Sequence, residues 1–300
     1  MATLLMLVGI SGSGKTSIAE DYRAMGYEVF SSDAIREELW GDAADQKNPA
    51  KVFEVLHARI MEALQENKNS VYDATNLSSK RRESFLNLLN NSGIECFKEC
   101  CIVMAPVVEC ELRDSRRARS VGPAVIERQV RQFEVPYVSE GWDVIRVLNN
   151  GTYIESLYSI EKEAKGTVRD AHENSHHELC ISDHVRKAAD YIEMYTDDCI
   201  PYVAARWHDI GKYFTKSHYD KKGNYTDDAH YYNHSNYGAY LFLSSWNIVT
   251  DNEITVAFLI QHHMDHYLKD EKSMEKFKKK IGPKISYWLD LLEKADAAAH

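Results

Sequence analysis

Two short stretches hold side chains whose types and spacing suit chemistry on phosphate. In "WHDIGK", residues 207–212, His208 and Asp209 adjoin and Lys212 follows one helical turn later. An imidazole beside a carboxylate can hold a divalent ion, one carboxylate can bridge two such ions, and a nearby lysine can meet a phosphate. In "GISGSGKT", residues 9–16, Gly9, Gly14, Lys15 and Thr16 match the pattern G-x-x-x-x-G-K-[ST] between an apolar run and a helical one. The small residues Ser11, Gly12 and Ser13 let backbone N–H groups turn inward around a β-phosphate. A helix opening at Thr16 and Ser17 adds its partial positive charge. Lys15 can reach the β- and γ-phosphates of ATP, and the Thr16 hydroxyl can ligate Mg²⁺. One stretch suits gripping a nucleoside triphosphate, the other removing phosphate.

More candidates accompany each stretch. "SSDAIREEL" brings Asp33 to the end of a strand and Arg36 one turn further on. A carboxylate there can accept a proton from an attacking hydroxyl while Arg36 holds a neighbouring phosphate. "VYDATNLSSKRRESF" ends another strand at Asp73, placed to orient Arg36 or the metal shell. "CELRDSRRARSVGP" carries Arg113, Arg116, Arg117 and Arg119 ahead of Gly122 and Pro123, in the manner of a lid. One such arginine lowered onto a transferring phosphoryl group would stabilise its charge.

In the second half, His184 lies at the edge of the apolar face formed by Val185, Ala188, Ala189 and Ile192. Asp296 projects from the same face of its helix as Leu289 and Leu292, where an ionised carboxylate is expensive unless partnered. A metal is such a partner. His234 opens "HSNYGAYLF", and His263 follows Val256, Leu259 and Ile260 on one face. His262, four residues after Phe258, competes with His263 for the same role.

Distinct element patterns must position these two sets. Apolar runs at 4–10, 27–33, 70–75, 96–105 and 142–148 read as strands, with helical patterns at 15–25, 51–66 and 79–90 between them. Such alternation implies a parallel sheet covered by helices. Beyond about residue 170 the strand signal vanishes and the pattern is helical. The polar stretch 161–171 reads as a linker between domains at 1–160 and 172–300. Lysine-rich 272–284 reads as a solvated helix face ending before Pro283, with a nucleic-acid contact as the alternative. The chain stops four residues after Asp296, so its last helix is expected to fray.

With 44% apolar and 27% charged residues, the 300-residue chain is globular, and no apolar run approaches the roughly 18–20 residues that span a bilayer. The opening "ATLLMLVGI" lacks a basic start and reads as a buried strand, and the six cysteines lack zinc-ligand spacing. A cytoplasmic, reduced chain is expected. The formal charge of −10, with both halves acidic, requires any polyanion to be gripped by a few focused side chains.

Residues 5–148 resemble the P-loop kinase domain of the phage polynucleotide kinase family through "GISGSGKTS", "SSDAIREE", "DATNLSSKRR" and "LRDSRRARSVGPAVIERQV". The resemblance implies Lys15 and Thr16 at the phosphates and metal, Asp33 as general base, Arg36 on the acceptor phosphate and Asp73 as its support. It implies a lid arginine on the donor, with Arg117 the best fit among the four. Residues 172–298 resemble the HD phosphohydrolase domain through "SHHELCISDHVRKAADYI", "WHDIGK", "HSNYGA", "IQHHM" and "LLEKADA". This implies His184, His208, Asp209 and Asp296 around one transition metal, and His234 and His263 at a second, with Asp209 shared and a bridging hydroxide as nucleophile. The expected fold is an α/β P-loop parallel-sheet kinase domain followed by an all-α HD-type domain. The expected function is healing of broken DNA or RNA ends: phosphate added at a 5′-hydroxyl, removed from a 3′ or 2′ position, and the end passed to a ligase. A small-metabolite or nucleoside kinase fused to a nucleotide phosphohydrolase is the alternative enzyme, and a nucleotide-sensing switch the non-catalytic one.

Overall fold

The computed structural model describes every residue except 44, 46, 174–177 and 300. The chain divides into two compact units, one of residues 1–126 and 136–152, the other of residues 127–135 and 153–300.

The first unit is built on five parallel strands in the order β2-β3-β1-β4-β5. These are β1 (Thr3–Val8), β2 (Glu28–Ser31), β3 (Ser70–Asp73), β4 (Phe97–Met104) and β5 (Val144–Asn149). Helices α1 (Lys15–Ala24), α2 (Ser32–Trp40), α3 (Pro49–Gln65), α4 (Ser79–Asn91) and α5 (Val107–Ser115) make the crossovers, and α6 (Pro123–Arg131) begins in this unit and ends in the other. Central β1 is buried along both faces, which is why its sequence is a continuous apolar run rather than an alternating one. Leu5 and Leu7 pack with Val71, Cys101 and Val103 against Ala19 of α1. Because β3 and β4 flank β1, the strand order reverses beside it, and the loops after β1 and β3 meet at that switch point. Gly9 N–H donates to Thr75 O across it at 3.0 Å.

The second unit contains α7 (Leu157–Ala164), α8 (Ile181–Glu193), α9 (Cys199–Trp207), α10 (Lys212–Thr215), β6 (Lys216–Tyr219) and β7 (Tyr225–Tyr231). It continues with α11 (His234–Ser244), α12 (Asp251–His262), α13 (Asp265–Leu268), α14 (Glu271–Ile281) and α15 (Pro283–Ala298). Helix α12 is buried from Ile254 to Gln261 and forms the centre of the bundle. Around it α9, α11 and α15 present small residues such as Ala204, Ala205, Ala239 and Ala295 that let backbones approach closely. Gly211 marks the tightest approach: a Cβ there would lie 2.0 Å from His234 O and 2.7 Å from Gly238 N.

Several expectations are corrected. The unit is not all-α, since β6 and β7 form an antiparallel hairpin; its strands, KSHY and YTDDAHY, are mostly polar and aromatic, so no apolar run announces it. Strand β2 stops at Ser31, whose Oγ accepts from Asp33 N–H at 3.3 Å and starts α2, so Asp33 lies in the first helical turn. Stretch 161–171 is no open linker. Its first residues belong to α7, and buried Asp170 caps α8 by accepting from Ser182 N–H and Oγ at 2.8 and 2.9 Å. Residues 127–135 belong to the second unit, where Phe133 packs edge-to-face on Tyr240 at 5.4 Å. The last helix is regular through Ala298.

Candidate functional sites

In the first unit, the loop after β1 wraps into α1. Gly12 has φ +83° and its α-carbon faces the backbone of Cys110, where a Cβ would come within 2.3 Å of the carbonyl oxygen. Only glycine meets both demands. Lys15 folds back so that Nζ donates to Ile10 O at 2.8 Å. Desolvation pulls the Lys15 ammonium down to about 8, against the opposing pull of Asp73. Burial raises the Asp73 carboxyl, opposed by Lys15. Thr16 and Ser17 are exposed at the helix start, while the Oγ of buried Ser13 has no hydrogen-bond partner among the described residues.

Asp33 and Arg36 do come together. Arg36 is buried and its guanidinium donates to Asp33 Oδ1 at 2.5 Å and Ser32 Oγ at 3.5 Å. The Arg36 Nε is buried without a partner among the described residues, and Asp33 is 71% exposed at its side chain. Asp73, expected to orient Arg36 or the metal shell, engages Ser31 and lies in the field of Lys15. The arginine cluster also divides. Arg113 donates to Gly12 O, Glu109 Oε1 and Asn150 O at 3.4, 2.6 and 2.5 Å, so its guanidinium braces the phosphate loop from behind rather than lining it. Arg119 pairs with Asp42 at 3.6 Å. Arg116 and Arg117 are exposed, and Arg117 adds to the positive field at Lys15. Buried Asp114 shapes this segment by accepting from Ser120 Oγ at 2.6 Å and from the N–H groups of Val121 and Gly122 at 3.0 Å. Sequence reasoning missed it because an acid inside an arginine run resembles surface charge.

In the second unit, His184 from α8, His208 and Asp209 after α9, His234 from α11, His263 after α12 and Asp296 from α15 converge in the buried core. His184 Nε2 lies 2.9 Å from Asp296 Oδ1 and 3.2 Å from His208 Nε2. His234 Nε2 lies 3.1 Å from His263 Nε2. Asp209 stands between the two pairs. Its Oδ2 is 3.5 Å from both His184 and His208, and its Oδ1 is 3.2 Å from His234 and 3.7 Å from His263.

Each ring is oriented from behind. The Nδ1 atoms of His208, His234 and His263 sit 2.7, 2.8 and 2.7 Å from the carbonyl oxygens of Ala205, Tyr231 and Ile260, and His184 Nδ1 sits 3.4 Å from Ala299 O. Donation from Nδ1 aims the Nε2 lone pair inward, the arrangement that metal-ligating imidazoles use. Facing lone pairs and two carboxylates make the centre attract positive charge. Although burial opposes it, Asp209 and Asp296 raise the proton affinity of His208. Burial would likewise raise Asp209, yet Lys212 and His208 hold it well below the usual carboxylate range. Among the described residues, both Asp209 oxygens lack a donor of hydrogen-bond geometry, although Lys212 Nζ approaches Oδ2 to 2.7 Å. These residues fit cations: His184, His208 and Asp296 can surround one, and His208, Asp209 and His263 form an overlapping group.

His262 falls outside. Its Nδ1 lies 2.7 Å from Asp265 Oδ2, and its ring packs on Phe258 and Phe277. His172 was missed and belongs nearby: Nε2 is 3.9 Å from Asp209 Oδ2 and 3.3 Å from Lys212 Nζ, with Nδ1 2.7 Å from Leu179 O. It precedes α8 in a stretch without periodicity, so only its residue type could have flagged it. Lys212 is buried against Asp209, His172 and the ring of Tyr231.

Residues 4–136 match the family profile described as an AAA domain. With the phosphate-binding loop and the parallel sheet, the first unit is a P-loop kinase fold, of the class that takes ATP with Mg²⁺. No curated protein sequence matches the chain. Among solved structures, it is similar to a chain of the Pnkp1/Rnl/Hen1 RNA repair complex at 24% identity and TM-score 0.38, covering 44% of this chain and 43% of that one. It is similar to a gluconokinase from Sinorhizobium meliloti at 20% identity and TM-score 0.35, covering 49% and 82%. It is also similar to the tunicamycin resistance protein of Deinococcus radiodurans at 17% identity and TM-score 0.34, covering 47% and 88%. The chain thus spans under half the length of the first, and none of these partial likenesses chooses a substrate. Among the described residues, no helix is long and apolar enough to cross a membrane.

Proposed function

We propose that the chain heals broken ends of nucleic acid, phosphorylating a 5′-hydroxyl with ATP in its first unit and removing a 3′- or 2′-phosphate in its second. The second unit would be an HD-type phosphohydrolase. The observation that carries the reading is the presence in one chain of a P-loop with an Asp33–Arg36 pair in the helix after β2 and a buried cluster of His and Asp bridged by Asp209. A phosphate donor and a phosphate remover serve one purpose when both ends of a break need correction, leaving ends that a ligase can seal.

In the first unit, Lys15 would meet the β- and γ-phosphates, and Thr16 would hold Mg²⁺. Asp33 would accept the proton of the 5′-hydroxyl. For that, Arg36 must leave Asp33 for the phosphate next to the acceptor, which its unpartnered Nε favours. Asp73 would keep Lys15 charged, and exposed Arg117 would reach the transferring group. In the second unit, His184, His208, Asp209 and Asp296 would hold one transition-metal ion, and His234 and His263 a second with Asp209 shared. Such ions supply a Lewis acid for the phosphate and lower the pKa of a bound water. Lys212 would steady the departing phosphate.

The charge of −10 favours a second reading, in which a small metabolite or nucleoside is the acceptor and a nucleotide the substrate of the second unit. Incubation with ATP and oligonucleotides bearing 5′-hydroxyl and 3′-phosphate ends, with each end resolved separately, decides between them. Both ends should change; nucleosides phosphorylated as efficiently as oligonucleotides would favour the second reading.

A further inference from the structure

Hairpin β6–β7 overhangs a cleft of about 540 Å³ whose lining includes Arg169, Glu173, Lys216, His218, Tyr219 and Tyr225. Its volume is that of a small-molecule site. Three features argue for a planar occupant attached to an anionic strand. The rings are stacked or exposed: His218 lies parallel to Tyr225 at 5.8 Å, and Tyr219 meets Tyr225 edge-on at 5.9 Å. Tyr219 and Tyr225 are 57% and 66% exposed, large apolar faces left open to solvent at one spot. The third feature is cationic. Arg169 stands over Phe214 at 5.0 Å, and Lys216 and His218 share Glu173 at 2.9 and 3.1 Å.

The cleft is also coupled to the metal centre by the hairpin itself. Lys216 of the cleft pairs across the strands with Tyr231. The Tyr231 hydroxyl donates to His172 O, and Lys212 Nζ lies 5.4 Å from the centre of its ring. Tyr231 therefore links Lys216 of the cleft to Lys212 and His172 beside Asp209.

Resting on the phosphate-removal reading above, we propose that this cleft receives the nucleobase of the terminal nucleotide whose phosphate enters the metal centre, stacked on Tyr225 and Tyr219. Every base presents a π-face, so such a site tolerates sequence while rejecting phosphate esters that lack a base.

The test compares phosphate release from a 3′-phosphorylated oligonucleotide and from glycerol 2-phosphate, an ester without any ring, as the ratio of their kcat/KM values. Replacing both rings, Tyr219→Ala with Tyr225→Ala, should lower that ratio about five- to hundred-fold, chiefly through KM for the oligonucleotide. The pair Tyr219→Phe and Tyr225→Phe should keep it, since stacking needs the ring and not the hydroxyl. A ratio unchanged by the alanines in a protein that does dephosphorylate the oligonucleotide overturns the cleft proposal and leaves the activity standing. A wild-type protein that releases phosphate from no oligonucleotide overturns both.

Discussion

The two candidate sites are built on opposite plans. In the first unit the reactive groups stand at the ends of strands and the starts of helices, and Thr16, Asp33 and Arg117 are exposed. In the second, the imidazoles and carboxylates come from several helices and are buried. On the function proposed above, the difference follows from what each site would grip. A nucleotide brings its own charge and its own Mg²⁺, so an open site can wait with its charges paired among themselves, as Arg36 waits on Asp33. A resident cation must be caged, so its ligands are fixed beforehand by packing and by carbonyls behind each ring.

Breaking the comparison most severely means removing one site and watching the other. Asp209→Ala should cut release of a 3′-phosphate by about 10²–10³-fold or more while 5′-phosphorylation continues. Lys15→Ala should do the reverse. A folded variant of either kind that lost both reactions would make the two-site account untenable.

The caged site also predicts a stability effect that the open one does not. If ions occupy the Asp209 cluster, stripping them leaves two carboxylates and facing lone pairs in the core. At ion concentrations about 100-fold above the dissociation constant, the loss is about 2.7 kcal/mol, or a melting shift of roughly 5–10 °C. Differential scanning calorimetry before and after chelation, then with Mn²⁺ restored, measures it. Identical melting with and without chelator would argue that protons alone satisfy the cluster.

How legible each site was follows from the same contrast. The phosphate loop was readable because its function fixes consecutive residues. The buried cluster was readable in part because polar groups on apolar helix faces are anomalous: His184, His263 and Asp296 each break an otherwise apolar stripe. What periodicity could not convey were partners distant in sequence and supplied by loops. His172 joins Lys212 across forty residues, Arg113 reaches Gly12 across a hundred and one, and the β6–β7 hairpin lacks an apolar run. The choice between His262 and His263 needed coordinates, since both follow a run buried on every side from Ile254 to Gln261.

Sharpening the account of the open site requires separating Arg36 from Asp33. Arg36→Ala should leave ATP affinity near wild type and reduce kcat/KM for an oligonucleotide acceptor by roughly 10- to 150-fold, the worth of one charge-assisted phosphate contact. Nucleoside phosphorylation, lacking that phosphate, should fall much less. Equal losses on both acceptors would instead assign Arg36 to orienting Asp33.

The smallest effect concerns pH. Desolvation holds the Lys15 ammonium at about 8 in the ligand-free protein, well under its ordinary 10.5. This folded-state penalty on the charge is fully present below about pH 8 and is relieved as pH rises toward the ordinary value, so Lys15 does not stabilise the empty fold at neutral pH. A triphosphate reverses the balance, because its negative charge favours the ammonium and raises its pKa in the complex. ATP affinity should therefore be highest below about pH 8 and weaken above it, by at most about tenfold per unit. Binding near pH 8 should take up part of a proton, visible as a dependence of calorimetric enthalpy on buffer ionisation. Lys15→Arg, whose guanidinium stays charged throughout, should flatten the profile even if it binds more weakly. A wild-type affinity that is level from pH 7.5 to 9 would mean that Lys15 does not meet the phosphates as an ammonium drawn out of a desolvating loop.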